Sequence, residues 1–265
     1  MIKPAEIQQK ARKEGVRDTQ IEKDYILSWI LTGIAHNKLL SAILAFKGGT
    51  VLKKFYYEDY RHSEDLDFTL LELRSNEEIK SAFENSFDFV KEEANISLFL
   101  NEFTEHETEN INFFITYDGA LGRTGKRVKV DISKNELLQF PLETKSLFPT
   151  YSDHINSSIK CYSLPEIMTE KLRSLLSRQQ PRDFYDLWYL SEYERMEIYD
   201  YVAEFEAKAN HKGLNPLHLE SRIEKILPVF KSRWESSINE QIKDLPPFEQ
   251  VARELGRHFR KIFKQ

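Results

Sequence analysis

Asp65-Leu66-Asp67 constrains this chain more than any other stretch. Leu66 to Leu71 reads as a strand, and alternate strand residues share a face. The two carboxylates therefore project together, with Leu66 buried opposite. Aspartate is a poor strand former. Two like charges held side by side repel unless a cation sits between them. Hard divalent ions suit such an oxygen pair. A solvated strand edge with incidental acids is the plain alternative.

Upstream, Gly48-Gly49-Thr50 follow a short apolar strand, Ile43 to Phe46, and open a helix from Thr50 to Tyr57. Glycine lets a backbone come close to a phosphate, and a helix start offers free N–H groups and partial positive charge. Thr50 or Ser63 adds a hydroxyl. Turns use glycine pairs constantly, and no Lys-Ser/Thr closes a P-loop here. Before a paired-Asp strand, however, the glycines read as a phosphate cradle facing a metal. A third acid lies in KRVKVDIS, where Val128, Val130 and Ile132 alternate with Lys129, Asp131 and Ser133. Alone, Asp131 is an ordinary surface acid. Beside Asp65 and Asp67 it would complete a set of carboxylates able to hold metal ions that bridge a triphosphate and activate an attacking hydroxyl.

The surroundings are those of a globular chain. Of 265 residues, 40% are apolar and 31% charged, enough for one large domain or two modest ones. The net charge of -5 argues against a nucleic-acid coat protein. The lone Cys161 excludes an intrachain disulfide and reads as a small buried side chain. The N-terminal segment reads as a helix rather than a signal peptide, and Tyr25 to Ala35 is too short to cross a bilayer, so a cytoplasmic location without membrane attachment is expected.

Periodicity predicts helices over Pro4–Glu14, from Asp18 or Thr19 to Asn37, and over Glu77–Glu93. Strands are predicted over Ile96–Phe103, Ile111–Tyr117 and Arg127–Ser133, then a connecting segment over Pro141–Pro149. From Leu164 onward the pattern is helical: Pro165–Gln179, Pro181–Tyr193, Glu194–Asn210, Pro216–Val229 and Phe248–Phe263. The expected organisation is an α/β (α+β) domain over 1–147, a mixed sheet flanked by helices, followed by an all-helical domain over 148–265.

The motifs, taken in order, resemble a known family. GGTVLKKFY followed by RHSEDLDF is similar to the AbiEii/AbiGii-type toxins of the minimal nucleotidyltransferase superfamily, which includes MenT-like nucleotidyltransferase toxins. IEKDYILSWIL resembles their N-terminal segment, and MTEKLRSLLSRQQPRDFYDLWYL resembles their helical signature. The likeness extends from about Ile21 to Leu190. It implies a mixed-sheet core and a helical second half. It implies Asp65 and Asp67 as catalytic metal aspartates, with Asp131 as third acid and Mg²⁺ or Mn²⁺ as the ion. Gly48, Gly49, Thr50, Arg61 and Ser63 would lie along the nucleotide. Lys171 would meet the triphosphate, and Asp186, or else Asp183, would be the late acid needed for activity. Thr50 stands where Ser is also used, which keeps the hydroxyl.

Lys171, Arg173, Arg178 and Arg182 follow Glu170 without an intervening acid, a pattern solvated helix faces also give. Asp183 and Asp186 are helix neighbours able to orient Lys171 or an Arg, or to take a proton. Helix N-terminal stabilisation is another reading of Asp183. Glu22, Lys23 and Asp24 read as a solvent face, although the resemblance brings Lys23 or Asp24 toward the cleft.

Arg123, Lys126, Arg127, Lys129 and Lys134, with Arg253, Arg257, Arg260 and Lys261, suggest a basic rim, while Glu92, Glu93, Glu102, Glu105, Glu107 and Glu109 gather elsewhere. The leading expectation is a metal-dependent nucleotidyltransferase toxin of a toxin–antitoxin or phage-defence system. It would transfer NMP from an NTP to an acceptor hydroxyl, the tRNA 3′ end first among candidates, and be opposed by an antitoxin encoded nearby. Two alternatives stand beside it: an NTP-binding module acting through a partner without transfer, and a metal nuclease using Lys129 beside Asp131.

Overall fold

The computed structural model describes residues 1–106, 110–122 and 125–263. Arg123, Glu107 and Glu109 of the expected charge clusters lie outside the described residues. The chain divides into two compact units, Met1–Glu136 with Leu142–Tyr162, and Leu137–Pro141 with Ser163–Gln265.

The first unit carries seven strands: β1 (Leu44–Lys47), β2 (Leu66–Leu70), β3 (Leu98–His106), β4 (Asn110–Tyr117), β5 (Arg127–Ser133), β6 (Leu142–Ser146) and β7 (Ser158–Tyr162). They form one mixed sheet in the order β3-β4-β5-β2-β1-β7-β6. β2 runs parallel to β5 and β1 parallel to β7; the other neighbours are antiparallel. The expected mixed sheet with flanking helices is the observed fold class. The connecting segment read over Pro141–Pro149 is corrected, because Leu142–Ser146 pairs with β7 along its whole length. Its side chains LETKS lack an apolar alternation, and four of the five are polar, so nothing marked it as an edge strand.

One sheet face is apolar. Phe46, Leu66, Phe68, Phe113, Val130 and Ile132 are all fully buried. Helices α2 (Asp18–His36) and α5 (Asn76–Ala94) pack together, and Phe83 of α5 meets Phe113 edge-on at 4.9 Å. α5 starts with a capping box in which Ser75 and Glu78 exchange side-chain and backbone bonds. α2 is buried on nearly every face, Glu22 and Asp24 included. A helix interior on all sides needs internal partners for its polar groups, and Asp24 finds them. Lys54 Nζ lies 2.7 Å from Asp24 Oδ2 and donates to the Asp24 carbonyl and to Ser28 Oγ at 2.8 Å each. Tyr151 donates its hydroxyl to Asp24 Oδ2 at 2.7 Å. Lys54 reaches inward from a π-helical turn, Leu52–Tyr56, that continues the short helix α4 (Gly49–Val51). Helices α1 (Pro4–Glu14) and α3 (Lys38–Ile43) complete the unit.

The second unit is helical: α6 (Leu164–Ser177), α7 (Pro181–Glu192), α8 (Val202–His211), α9 (Leu219–Ile238) and α10 (Phe248–Phe263). Phe184 of α7 is its centre, with ring centroids of Phe230, Phe248 and Phe259 at 5.5, 6.3 and 6.4 Å. Leu137–Pro141 is tied to this unit by buried Glu166, which accepts from the amides of Gln139 and Phe140, and by Lys208, which donates to the Leu137 carbonyl. Two helix boundaries differ from expectation. α8 starts only at Val202, after a 3₁₀ turn over Ile198–Tyr201, and α9 runs through Pro228 to Ile238.

Lys54→Met removes the cation facing Asp24 and leaves a carboxylate that is 1% exposed without its counter-charge. A loss of about 3–5 kcal/mol in urea unfolding is expected. A loss under about 1 kcal/mol would mean that Asp24 takes up a proton in compensation.

Candidate active site

The site grows from the β2–β5 pairing. In that parallel register Asp67 lies opposite Asp131, so two carboxylates stand side by side on the polar face of the sheet. Asp65 and Asp67 are half-buried and Leu66 is fully buried between them, as strand alternation requires. Lys47 of β1 continues the row opposite Asp67, and Asn112 of β4 continues it opposite Asp131.

Gly48 faces this row. Its φ of 84° lies in the left-handed region, and a Cβ placed on it would stand 2.4 Å from Asp67 Oδ2. Only glycine allows the strand to turn into α4 while the Asp67 carboxylate lies against the backbone. Gly49 begins the helix and is buried. Thr50 is 1% exposed, and its hydroxyl donates to the Asp65 carbonyl at 2.6 Å. That bond fixes the entry to β2 against the glycine turn, so the Thr50 hydroxyl serves the frame of the site.

The loop before Asp65 is anchored from behind. Ser63 is buried, and Arg61 is 2% exposed with its guanidinium 5.7 Å from the Tyr60 ring centre. His62 Nε2 lies 2.8 Å from Glu14 Oε2, and His62 Nδ1 lies 3.5 Å from Asp24 Oδ1. Lys23 reaches Glu64 at 3.0 Å, one residue from Asp65. Glu22 and Asp24 are 0% and 1% exposed, which corrects the solvent-face reading of both. Glu22 accepts from the Leu121 amide at 2.7 Å and pairs with Lys126.

Lys129 is the cation of the site. Its ammonium donates to Asp131 Oδ2 at 2.7 Å, while Asp131 Oδ1 is buried and has no hydrogen-bond partner. Partial burial works against the Lys129 charge. The bond to Asp131, then the charges of Asp131, Asp65 and Asp67, outweigh it and hold the ammonium above its ordinary range. All three acids therefore act on one ammonium. Among the described residues no group of three or more His, Cys, Asp or Glu forms a ready metal cage. The donors nevertheless fit a hard divalent ion: carboxylate oxygens in register, one of them orphaned, beside a backbone that carries no Cβ. Lys47 is otherwise engaged, donating to Ser133 at 3.0 Å and to Glu136 at 2.9 Å. The sequence reading passed over Lys47 and Glu136, and set Lys129 both in the basic rim and, for the nuclease alternative, beside Asp131.

In the second unit Lys171, Asp183 and Asp186 come together. Lys171 Nζ lies 2.8 Å from Asp183 Oδ1 and 2.6 Å from Asp186 Oδ2, and all three residues are buried. Arg178 Nε adds 2.7 Å to Asp183 Oδ2. Burial would raise Asp183, but Lys171 and Arg178 hold its carboxyl below the ordinary range. The basic rim is largely neutralised. Arg127 pairs with Glu102, Lys134 with Glu105, Arg257 with Glu192 and Lys261 with Glu197. Cys161 is buried and free, with its thiol pushed up to about 12.

The model of the nucleotidyl transferase AbiEii toxin family, of type IV toxin–antitoxin systems, matches residues 29–263. The chain belongs to this family. MenT4, a nucleotidyltransferase toxin from Mycobacterium tuberculosis H37Rv, matches in structure with a TM-score of 0.68 at 18% identity, covering 97% of this chain and 89% of that one. JHP933 from Helicobacter pylori matches with a TM-score of 0.61 at 16% identity, covering 94% of each chain. At such identities these likenesses carry the fold. A search of curated proteins gave no match. The AbiEii chain is thus a nucleotidyltransferase, and membership implies an NTP substrate and an antitoxin partner. Among the described residues no helix is long and apolar enough to cross a membrane.

Gly48→Ala forces a Cβ into the Asp67 carboxylate at a backbone angle alanine resists. A loss of about 1–3 kcal/mol in stability is expected, with a drop of at least about a hundredfold in nucleotidyl transfer. Transfer at the wild-type rate would show that the Asp67 position is not critical.

The anchor behind Asp65 responds to pH on both sides. His62, Lys53 and Lys10 lower Glu14, against burial, from 4.5 to about 2. Its contribution is present above pH 4.5 and is lost as pH falls toward 2. Burial opposes the charged His62, but Asp24 and Glu14 raise its pKa above 6.5. That contribution is complete below pH 6.5 and is lost as pH rises through the raised value. Urea midpoints across pH 2–9 should fall at both ends, and His62→Asn should flatten the alkaline arm and also weaken the acid arm, since His62 is the first of the groups that lower Glu14. An unchanged alkaline arm in that variant would remove His62 from the account.

Proposed function

We propose that this chain is a metal-dependent nucleotidyltransferase toxin that moves NMP from an NTP to an acceptor hydroxyl, with the tRNA 3′ end as the leading acceptor. The observation that carries the reading is the register of Asp67 against Asp131, with Asp65 beside them and Gly48 giving up its Cβ to the Asp67 carboxylate.

Asp65 and Asp67 hold the divalent cation, Mg²⁺ or Mn²⁺, and Asp131 is the third oxygen donor. When bound, the ion neutralises phosphate charge and lowers the pKa of a coordinated hydroxyl. The chain's own residues supply position. The Gly48-Gly49 backbone admits a phosphate at close range, and the Thr50 bond to the Asp65 carbonyl keeps that turn and β2 in register. Ser63 and Arg61, on the same loop as Asp65, would lie along the nucleotide, as the family resemblance implies. One of the acids near the acceptor, Asp131 or the Asp183–Asp186 pair, would accept the proton of the attacking hydroxyl as the pyrophosphate leaves. Lys171, with Asp183 and Asp186, is the second group required for transfer, on the strength of the family resemblance. The paired state of the basic residues favours an acceptor held by a few local contacts over one held by a broad cationic surface. A role in phage defence and a cytoplasmic site of action belong to the same reading.

Purified protein with α-labelled NTPs, Mg²⁺ and total tRNA should label an RNA acceptor. Asp65→Ala and Asp67→Asn should each reduce labelling by about a thousandfold or more. NTP bound for hours without turnover would instead mean a binding module acting through its partner, and shortened RNA would mean a nuclease.

A further inference from the structure

Four basic side chains lie on β1, on β5 or just before it, Lys47, Lys126, Arg127 and Lys129, and three are committed elsewhere. Lys47 is bound to Ser133 and Glu136. Lys126 is bound to Glu22. Arg127 pairs with Glu102 and lies 4.0 Å from the Phe114 ring centre. Lys129 differs. Its one ion pair is with Asp131, a candidate cation ligand, and its side chain is 44% exposed. It sits two residues before Asp131 on the same strand, so its chain lies along the strand and its ammonium reaches the carboxylate row. The other oxygen of Asp131 is left without a partner. The Lys129 ammonium thus meets the row at Asp131 and leaves the other Asp131 oxygen unsatisfied.

Resting on the reaction proposed above, we propose that Lys129 is a positioning residue: an internal counter-ion that holds the Asp131 carboxylate while no divalent cation is bound, and that swings out to solvent when the cation enters. An ammonium and a divalent ion cannot both lie against the same carboxylate oxygen without strong repulsion. The half-exposed side chain has solvent to move into at small cost. Lys129 therefore competes with the metal and sets the concentration at which the site loads. It also keeps the acids from repelling one another in the unloaded protein.

Mn²⁺ titration followed by electron paramagnetic resonance, without nucleotide, separates the possibilities. Lys129→Met should bind Mn²⁺ about tenfold more tightly than wild type, because one cation no longer has to be displaced. Lys129→Arg should stay within about twofold, and Arg127→Met, which removes a charge from the same strand away from Asp131, should also change affinity by no more than about twofold. The metal-free Lys129→Met protein should show a lower urea midpoint that saturating Mn²⁺ restores. Unchanged or weaker Mn²⁺ binding in Lys129→Met, with wild-type binding intact and lost in Asp67→Asn, would overturn the counter-ion role and leave the metal site standing. Equal tightening in Arg127→Met would reduce the effect to general surface charge and overturn it too. Mn²⁺ binding that survives Asp67→Asn would instead overturn the metal site itself.

Discussion

A parallel pairing of two strands that bring aspartates into register is the constraint from which the first unit follows. Asp67 opposite Asp131 is unfavourable by itself, since like charges directly across a sheet repel. The pairing is held by the other face, where Leu66, Phe68, Val130 and Ile132 are fully buried. Burial of four such side chains stabilises by several kcal/mol, since each contributes about 1.5–3 kcal/mol. Apolar packing on one face thus fixes the repulsive arrangement on the other. The sheet stores an electrostatic demand that a cation can answer.

The same logic explains the ionic network behind the loop. A loop carrying Ser63 and Asp65 must be held without covering the acids it presents. His62 does this from the rear, bound to Glu14 and facing Asp24, while Lys54 closes the charge on Asp24. Thr50 holds the front through the Asp65 carbonyl. Apolar packing alone would hold this segment less specifically, because dispersion contacts have no direction. The network costs desolvation and returns a defined orientation for the Asp65 loop.

Much of this was legible in the sequence because it rests on strand alternation. Asp65, Leu66 and Asp67 could only be placed as they are if β2 was a strand, and KRVKVDIS put Asp131 opposite its valines by the same rule. Which strands would be neighbours was not legible, because nothing local specifies that β2 lies beside β5. The buried charges were misread for a related reason. Glu22 and Asp24 flank Lys23 on a helix whose apolar stripe accounts for only one side. Their burial depends on Lys126, Lys54 and Tyr151, which lie far along the chain. β6 was missed because an edge strand of polar residues carries no period-two signal. The helix read over Pro216–Val229 continues through Pro228 to Ile238, with Phe230, Trp234 and Ile238 buried in its final turns. There, tertiary packing outweighs the amide that proline lacks.

Charge counting misled most at the surface, and the reason bears on substrate choice. Arg127, Lys134, Arg257 and Lys261 are numerous enough to suggest a phosphate-tracking rim, yet each has a carboxylate in contact. A paired cation offers a polyanion little, since the carboxylate must be displaced or left facing phosphate. Exposed pairs of this kind contribute about 0–1 kcal/mol each, so they neutralise the surface more than they stabilise the fold. An acceptor that cannot be held by a broad cationic surface must be selected close to the reacting hydroxyl. Under the proposed reaction, acceptor choice rests with groups within reach of Asp65, Asp67 and Asp131. Lys129, paired with Asp131 at 2.7 Å, stands within that reach.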